Sequence, residues 1–146
     1  MAKRVYNPRE WKLVYEYLIT KYPNKLQWRR VRVGPLLKNE KLYGVLRRWV
    51  DAIVYDHEED LIIIIEAKMK PEPGALSQLE LYRKLFPQTP EFELYKDKPI
   101  KLVFLTTMLD KELKALAKEK GIDYVVFKPK WVEEYFKELM EKYARS

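Results

Sequence analysis

The sequence predicts a mixed α/β fold in which one sheet is covered by helices on both faces. Three observations predict it. Segments of helical and strand periodicity follow one another in the order αβββαβαβα. Two apolar strands flank the polar turn Asp56-His57-Glu58-Glu59-Asp60, which marks an antiparallel hairpin. Beyond the hairpin, strands alternate with helices, the pattern of αβ units with parallel strands. The second hairpin strand contains the unbroken apolar run Leu61–Ile65, so it is expected to be covered on both faces and central in the sheet. At 146 residues the chain is long enough for one good core, and a single domain over residues 1–146 is expected.

The elements justify themselves in order. Asn7 is a natural N-cap, Pro8 suits the first helical position and Glu10 the first turn, so a helix is expected from there to about Tyr22, ending before Pro23. Its buried stripe reads as Trp11, Val14, Tyr15, Leu18 and Tyr22, with Glu10 flanking it and Glu16 pointing nearly away. Leu26–Val33 reads as a strand in which Trp28, Val31 and Val33 interleave with Arg29, Arg30 and Arg32, and Gly34-Pro35 ends it. Pro35–Val45 reads as a loop carrying Lys38, Lys41 and Tyr43, with Gly44 near its end. The hairpin follows, its first strand over Arg47–Tyr55 and its second over Leu61–Lys68.

Pro71-Glu72-Pro73-Gly74 interrupts the chain, and a helix to about Phe86 then shows the stripe Ala75, Leu79, Tyr82 and Leu85 or Phe86, with Gln78 on the same side. Pro87–Pro99 is a proline-bounded connection with a short apolar patch of Phe92, Leu94 and Tyr95. Ile100–Thr107 is a buried strand. Asp110 caps a helix to Lys120, and Gly121 ends it. Ile122–Phe127 is a further strand, and Pro129 opens a last helix. Trp131, Val132, Tyr135, Phe136, Leu139, Met140 and Tyr143 give that helix a broad apolar face, for the core or for an interface between copies.

The hairpin carries the chemistry. Residues two apart on a strand share a face, so Glu66 and Lys68 point the same way. A tight turn at Glu58-Glu59 sets Asp51 opposite Glu66, because opposed residues share a face. Two carboxylates and an ammonium then converge at the end of a buried strand, where unpartnered charges are expensive. A divalent cation between the carboxylates removes that expense.

Composition narrows the classes. Hydrophobic residues make up 47% of the chain, which with regular periodicity argues a folded globule. Charged residues make up 35%, mostly Lys, Arg and Glu, a balance resembling that of hyperthermophile proteins. The absence of Cys excludes disulfides, thiolate metal sites and cysteine-ligated iron–sulfur clusters. The longest apolar run is far too short to span a bilayer, and Met1-Ala2-Lys3-Arg4 leads into no signal core, so a soluble, cytoplasmic protein is expected. The net charge of +7 favours an anionic partner, nucleic acid ahead of membrane, because no segment reads as a basic interfacial helix.

The order helix, three strands, helix, strand, with Asp51, Glu66-Ala67-Lys68 and Gln78-Leu79-Glu80-Leu81-Tyr82 on it, resembles the PD-(D/E)XK nuclease superfamily. Glu66-x-Lys68 resembles its (D/E)-x-K and Asp51 the Asp of its PD element. Gln78-x-x-x-Tyr82 is similar to the Q-x-x-x-Y helix motif of RecB-type nucleases. Glu10 resembles the extra acidic residue of the RecB-like and archaeal Holliday-junction-resolvase branches. An E-x-K alone carries no information; its place on a buried strand, after an Asp on the paired strand and before Q-x-x-x-Y, does. The resemblance covers roughly Asn7 to Thr107. The chain departs from it at Val50, where the name-giving Pro would stand, and in lacking the four cysteines of CRISPR-associated RecB-like exonucleases.

The resemblance implies a restriction-endonuclease-like three-layer core, αβββαβ, with a C-terminal αβα extension. It implies a nuclease dependent on Mg²⁺ or Mn²⁺, cations that prefer oxygen ligands. Asp51 and Glu66 would be the carboxylate ligands, with the Ala67 carbonyl and Glu10, directly or through water. Lys68 would hold the attacking water or the scissile phosphate, and Gln78 and Tyr82 would orient Lys68 and the phosphate. Arg29, Arg30, Arg32, Arg47 and Arg48 are the candidate phosphate contacts, each equally a solvated strand residue. DNA is the expected substrate, and a homodimer is open because resolvases act as symmetric dimers. His57 reads as a surface residue. The competing classes are a catalytically inactive nucleic-acid-binding module of the same fold and a basic α/β interaction domain.

Overall fold

The computed structural model describes residues 7–36 and 46–145. Lys38, Lys41, Tyr43 and Gly44 of the expected loop lie outside the described residues. The described elements are α1 (Pro8–Lys21), β1 (Leu26–Val33), β2 (Arg48–Asp56), β3 (Leu61–Ala67), α2 (Gly74–Leu85), β4 (Ile100–Thr106), α3 (Lys111–Glu119), β5 (Ile122–Val126) and α4 (Lys130–Arg145). Two short 3₁₀ turns, Phe86–Gln88 and Pro90–Tyr95, fill the proline-bounded connection. The five strands form one mixed sheet in the order β1-β2-β3-β4-β5. β1, β2 and β3 pair antiparallel, and β3, β4 and β5 pair parallel.

Local chemistry sets these boundaries. The Asn7 side chain accepts from the N–H groups of Arg9 and Glu10 at 3.1 and 3.2 Å, occupying two of the donors that a helix start leaves over. The Asp110 side chain does the same for α3 through the Leu113 N–H at 3.0 Å. Gly121, at φ +70°, carries the chain out of α3 into β5 in a conformation that glycine tolerates best. The hairpin turn over residues 57–60 leaves β2 and β3 in the expected register, Ala52 opposite Ile65 and Asp56 opposite Leu61.

Each face of the sheet has its own core. α2, α3 and the 3₁₀ turns cover one, burying Val50, Ile53, Ile62, Ile64, Leu79 and Phe104 among others. α1 and α4 cover the other, burying Ala52, Val54, Ile63, Ile65 and Val103 against Leu13, Val14, Leu18 and Val132. Alternate residues of β3 thus serve opposite layers, and all four isoleucines are at most 2% exposed. Truncating one of them to Ala should destabilise the fold by about 2–5 kcal/mol.

Four packing expectations are corrected. The α1 stripe is Leu13, Val14, Tyr17 and Leu18, with Tyr22 buried beyond its end; Tyr15 is exposed and Trp11 only partly covered. The stripe lies one position round from the expected one, which brings Glu10 onto the sheet-facing side. Glu16 is half-buried and accepts from the Trp131 indole N–H of α4, so it does not point away. The broad face of α4 serves the core only in its first half: Val132 is buried and Tyr135 and Phe136 pack on the core, but Met140 and Tyr143 are exposed. Leu94 is exposed as well, leaving Phe92 and Tyr95 to anchor the connection, both against Trp28.

Candidate active site

β3 leaves the sheet at Ala67, and the four residues from Glu66 to Met69 collect polar groups from four elements. The Ala67 N–H donates to Asp51 Oδ2 of β2 at 2.7 Å. The Lys68 N–H donates to the Leu105 carbonyl of β4 at 3.0 Å. The Met69 N–H donates to Glu10 Oε2 of α1 at 3.3 Å. Two of these three donors are therefore received by carboxylates and not by a strand backbone. Such charge-assisted bonds to main-chain N–H groups are among the stronger hydrogen bonds a protein makes. Thr107, which no sequence signal singles out, closes the opposite side by donating its hydroxyl to the Met69 carbonyl at 2.6 Å.

The β2–β3 ladder ends at Ala52 and Ile65. The same register carried one step further brings Asp51 opposite Glu66, as the tight turn requires. Asp51 is 7% exposed and Glu66 fully buried. Glu66 faces the α2 layer, where the Tyr82 hydroxyl donates to its Oε1 at 3.4 Å. Burying a carboxylate costs several kcal/mol unless hydrogen bonds or cations compensate it, so two within one ladder step mark this strand end as chemically specialised.

The other expected site residues fall at different distances from this centre. Lys68 is partly covered and its Nζ lies 3.5 Å from Glu72 Oε2 in the segment leading to α2. Gln78 is exposed on α2, beside the buried row of Ala75, Leu76, Leu79 and Tyr82 and not within it. Glu10 reaches the strand end from the α1 layer through Met69, and among the described residues no three Asp, Glu or His side chains form a cluster able to hold a metal ion. Glu10, Asp51 and Glu66 thus all belong to or bond with one short stretch of main chain, Glu66–Met69.

The arginines divide. Arg29 and Arg30 lie on edge strand β1, Arg29 exposed and stacked over the Tyr15 ring at 4.8 Å. Arg32 stacks over Trp49 at 4.9 Å, the residue opposite it on β2. Arg48 is exposed, and its Nη1 donates to the Arg47 carbonyl at 3.3 Å. Arg47 departs from the expectation of a phosphate contact: it is buried, and its Nη2 lies 2.6 Å from Glu91 Oε1. That ion pair commits its guanidinium to holding the 3₁₀ turn against the sheet. The cause lies 44 residues away in the chain, beyond the reach of local pattern. Burial raises the Glu91 carboxyl, but the hydrogen bond and charge of Arg47 outweigh it and hold the group below its ordinary value. His57 is on the surface, as expected.

No protein-family model matches the chain, and no curated protein matches it. Solved structures do. A repair endonuclease from Pyrococcus abyssi is similar over 88% of this chain and 50% of its own, with a TM-score of 0.54 and 16% identity. EndoMS in complex with double-stranded DNA is similar over 88% and 48%, with a TM-score of 0.51 and 19% identity. EndoMS in its apo form is similar over 88% and 49%, with a TM-score of 0.51 and 18% identity. The chain thus spans about half the length of each of these proteins. At these identities the likeness is one of fold.

Proposed function

We propose that this chain is a metal-dependent nuclease that hydrolyses phosphodiester bonds in DNA, a member of the PD-(D/E)XK superfamily. The observation that carries the reading is the Asp51 carboxylate on the Ala67 N–H, one ladder step from fully buried Glu66, at the end of the central strand. The shared fold supports it, since one similar structure is of a repair endonuclease and another, EndoMS, is held on double-stranded DNA.

The donor chemistry fits Mg²⁺ or Mn²⁺. Asp51, Glu66 and the Ala67 carbonyl offer hard oxygen atoms, few enough to leave places for water and substrate phosphate. Such a cation, when bound, lowers the pKa of a water and neutralises charge building on the phosphate. The chain's own residues do the remainder. The Ala67 N–H fixes the rotamer of Asp51, and the Tyr82 hydroxyl does the same for Glu66, the kind of support that orients ligating carboxylates. Lys68, held beside the site by Glu72, supplies a mobile ammonium for the scissile phosphate or the attacking water. Glu10 anchors the Met69 main chain and so holds the stretch in place. Gln78, exposed on α2, would contact the substrate backbone.

The competing reading is a nucleic-acid-binding module of the same fold without catalysis. Incubation with labelled DNA and RNA panels of single strands, duplexes, flaps and four-way junctions, in Mg²⁺, Mn²⁺ or EDTA, separates the two. The nuclease reading expects cleavage of at least one DNA in metal and none in EDTA. Binding without cleavage of any member selects the module.

A further inference from the structure

β5 is an outer strand of the sheet, and α3 packs beside it on the α2 side. Between them runs a groove of about 740 Å³ whose lining includes Leu109, Lys111, Lys114, Lys118, Asp123 and Tyr124. Helical spacing divides the exposed charges of α3 into two rows. Lys111, Lys114 and Lys118 fall on the side facing the groove, Glu112 and Glu119 on the side away from it, and Leu113 and Ala117 enter the core. All three lysines are exposed, and none makes an ion pair among the described residues. The acidic lining residue, Asp123, is neutralised by Lys101 at 3.2 Å. The groove is therefore a cationic channel carrying about three uncompensated charges.

Its position gives the charge a purpose. β3, β4 and β5 are parallel, so their C-terminal ends share one edge of the sheet. Glu66–Met69 lies at that edge, and the Thr107 bond to Met69 ties the end of β4 to it. Leu109 and Lys111 follow directly, so the groove opens beside the candidate site and leads away along α3. The lysine row spans seven residues, about 10 Å of helix, which matches about three phosphate steps at 3.4 Å of rise per strand.

We propose that this groove is a second nucleic-acid contact surface, which holds the sugar–phosphate backbone of the strand running away from the Asp51–Glu66 site. The proposal rests on the nuclease reading for its substrate. With the β1 arginines at the opposite edge of the sheet, it gives the bound nucleic acid basic contacts on both sides of the strand end. A basic groove with an apolar floor suits a backbone held without base reading.

The test is binding of fluorescently labelled duplex and single-stranded DNA in EDTA, across a series of NaCl concentrations. Wild type is compared with K111Q/K114Q/K118Q and with K84Q/K137Q/K142Q, which removes the same charge from exposed positions elsewhere. The groove variant should bind about ten-fold or more weakly at low salt, and its log-affinity slope against log salt should fall by about 2–3, the loss of three phosphate contacts. The control should change by less than about three-fold. Equal effects of the two variants would overturn the groove assignment, as would unchanged DNA binding by the groove variant. A decaglutamate peptide that binds wild type but not the groove variant, with DNA affinity unaltered, would assign the groove to an acidic protein segment instead. If wild type binds no DNA at all, the functional reading itself fails; intact wild-type binding and cleavage with an unaffected groove variant removes only this proposal.

Discussion

Arg30 lies across from Asp51 in the β1–β2 register, and its backbone is left-handed, at φ +49° in the middle of a strand. The paired positions run from Leu26–Tyr55 to Val33–Arg48 but omit this one pair. The side-chain alternation of both strands changes at the same place. Trp28 and Val31 pack on the α2 side although three residues apart, and so do Val50 and Ile53. A strand that kept its period would send such residues to opposite faces. Asp51 sits at this irregular pair and accepts from the Ala67 N–H at the end of β3. Non-glycine residues in this conformation cost about 1–3 kcal/mol and collect at functional sites.

The backbone at Arg30 should discriminate between substitutions. Arg30→Gly relieves the left-handed strain but loosens the unfolded chain, so stability should change by less than about 1 kcal/mol. Arg30→Val places a β-branched side chain where it cannot sit and should destabilise by about 1–3 kcal/mol. Urea denaturation measures both; equal effects would mean that the conformation is not what the position demands.

The Arg47–Glu91 pair should be visible as an acid-sensitive increment of stability. The folded carboxyl of Glu91 is depressed, so its contribution is complete above the ordinary glutamate value of 4.5 and is lost as pH falls through the folded value. Glu91→Gln should lower stability at neutral pH by about 1–2 kcal/mol, discounted because the Glu91 side chain is half exposed. It should also flatten the decline between pH 5 and the acid limit, read as thermal midpoints across pH. A parallel shift of the whole curve would contradict this.

Tyr82→Phe removes one hydroxyl from Glu66 and little packing volume. If that hydroxyl orients a metal-ligating carboxylate, cleavage should fall about ten- to a hundred-fold while the thermal midpoint moves by only a few degrees. Calorimetric Mn²⁺ titration should show the weakening as well. A variant with full activity would place Tyr82 outside the working site.

Much of this architecture was legible in the sequence, and what was not has physical causes. The polar turn after Tyr55 set the β2–β3 register, because a hairpin joins period-2 strands with little freedom, and the apolar run of β3 announced its burial on both faces. The stripe of α1 was ambiguous because Trp11, Leu13, Val14, Tyr15, Tyr17 and Leu18 surround most of the helix. Packing against the sheet and α4 together, with contacts such as Trp131 to Glu16, selects one side. The switch at Arg30 and Asp51 was hidden because the left-handed residue is an arginine and no glycine marks it. Arg47 read like its neighbours on the strand, and its burial depends on a distant glutamate. Glu10 was recognisable as a site neighbour, but its bond to the Met69 main chain follows from tertiary packing alone.

The most direct test of the central claim is cleavage of the best DNA substrate by wild type, Asp51→Asn and Lys68→Ala in Mg²⁺ and in Mn²⁺, with DNA affinity measured in EDTA on the same preparations. Asn keeps an oxygen for the Ala67 N–H, so the strand end should hold its geometry while losing a charged ligand. The nuclease reading predicts that cleavage by Asp51→Asn and Lys68→Ala falls by at least about a hundred-fold, the range for groups that stabilise transition-state charge, while Asp51→Asn binds DNA as tightly as wild type or more so. Cleavage by Asp51→Asn at the wild-type rate would contradict it.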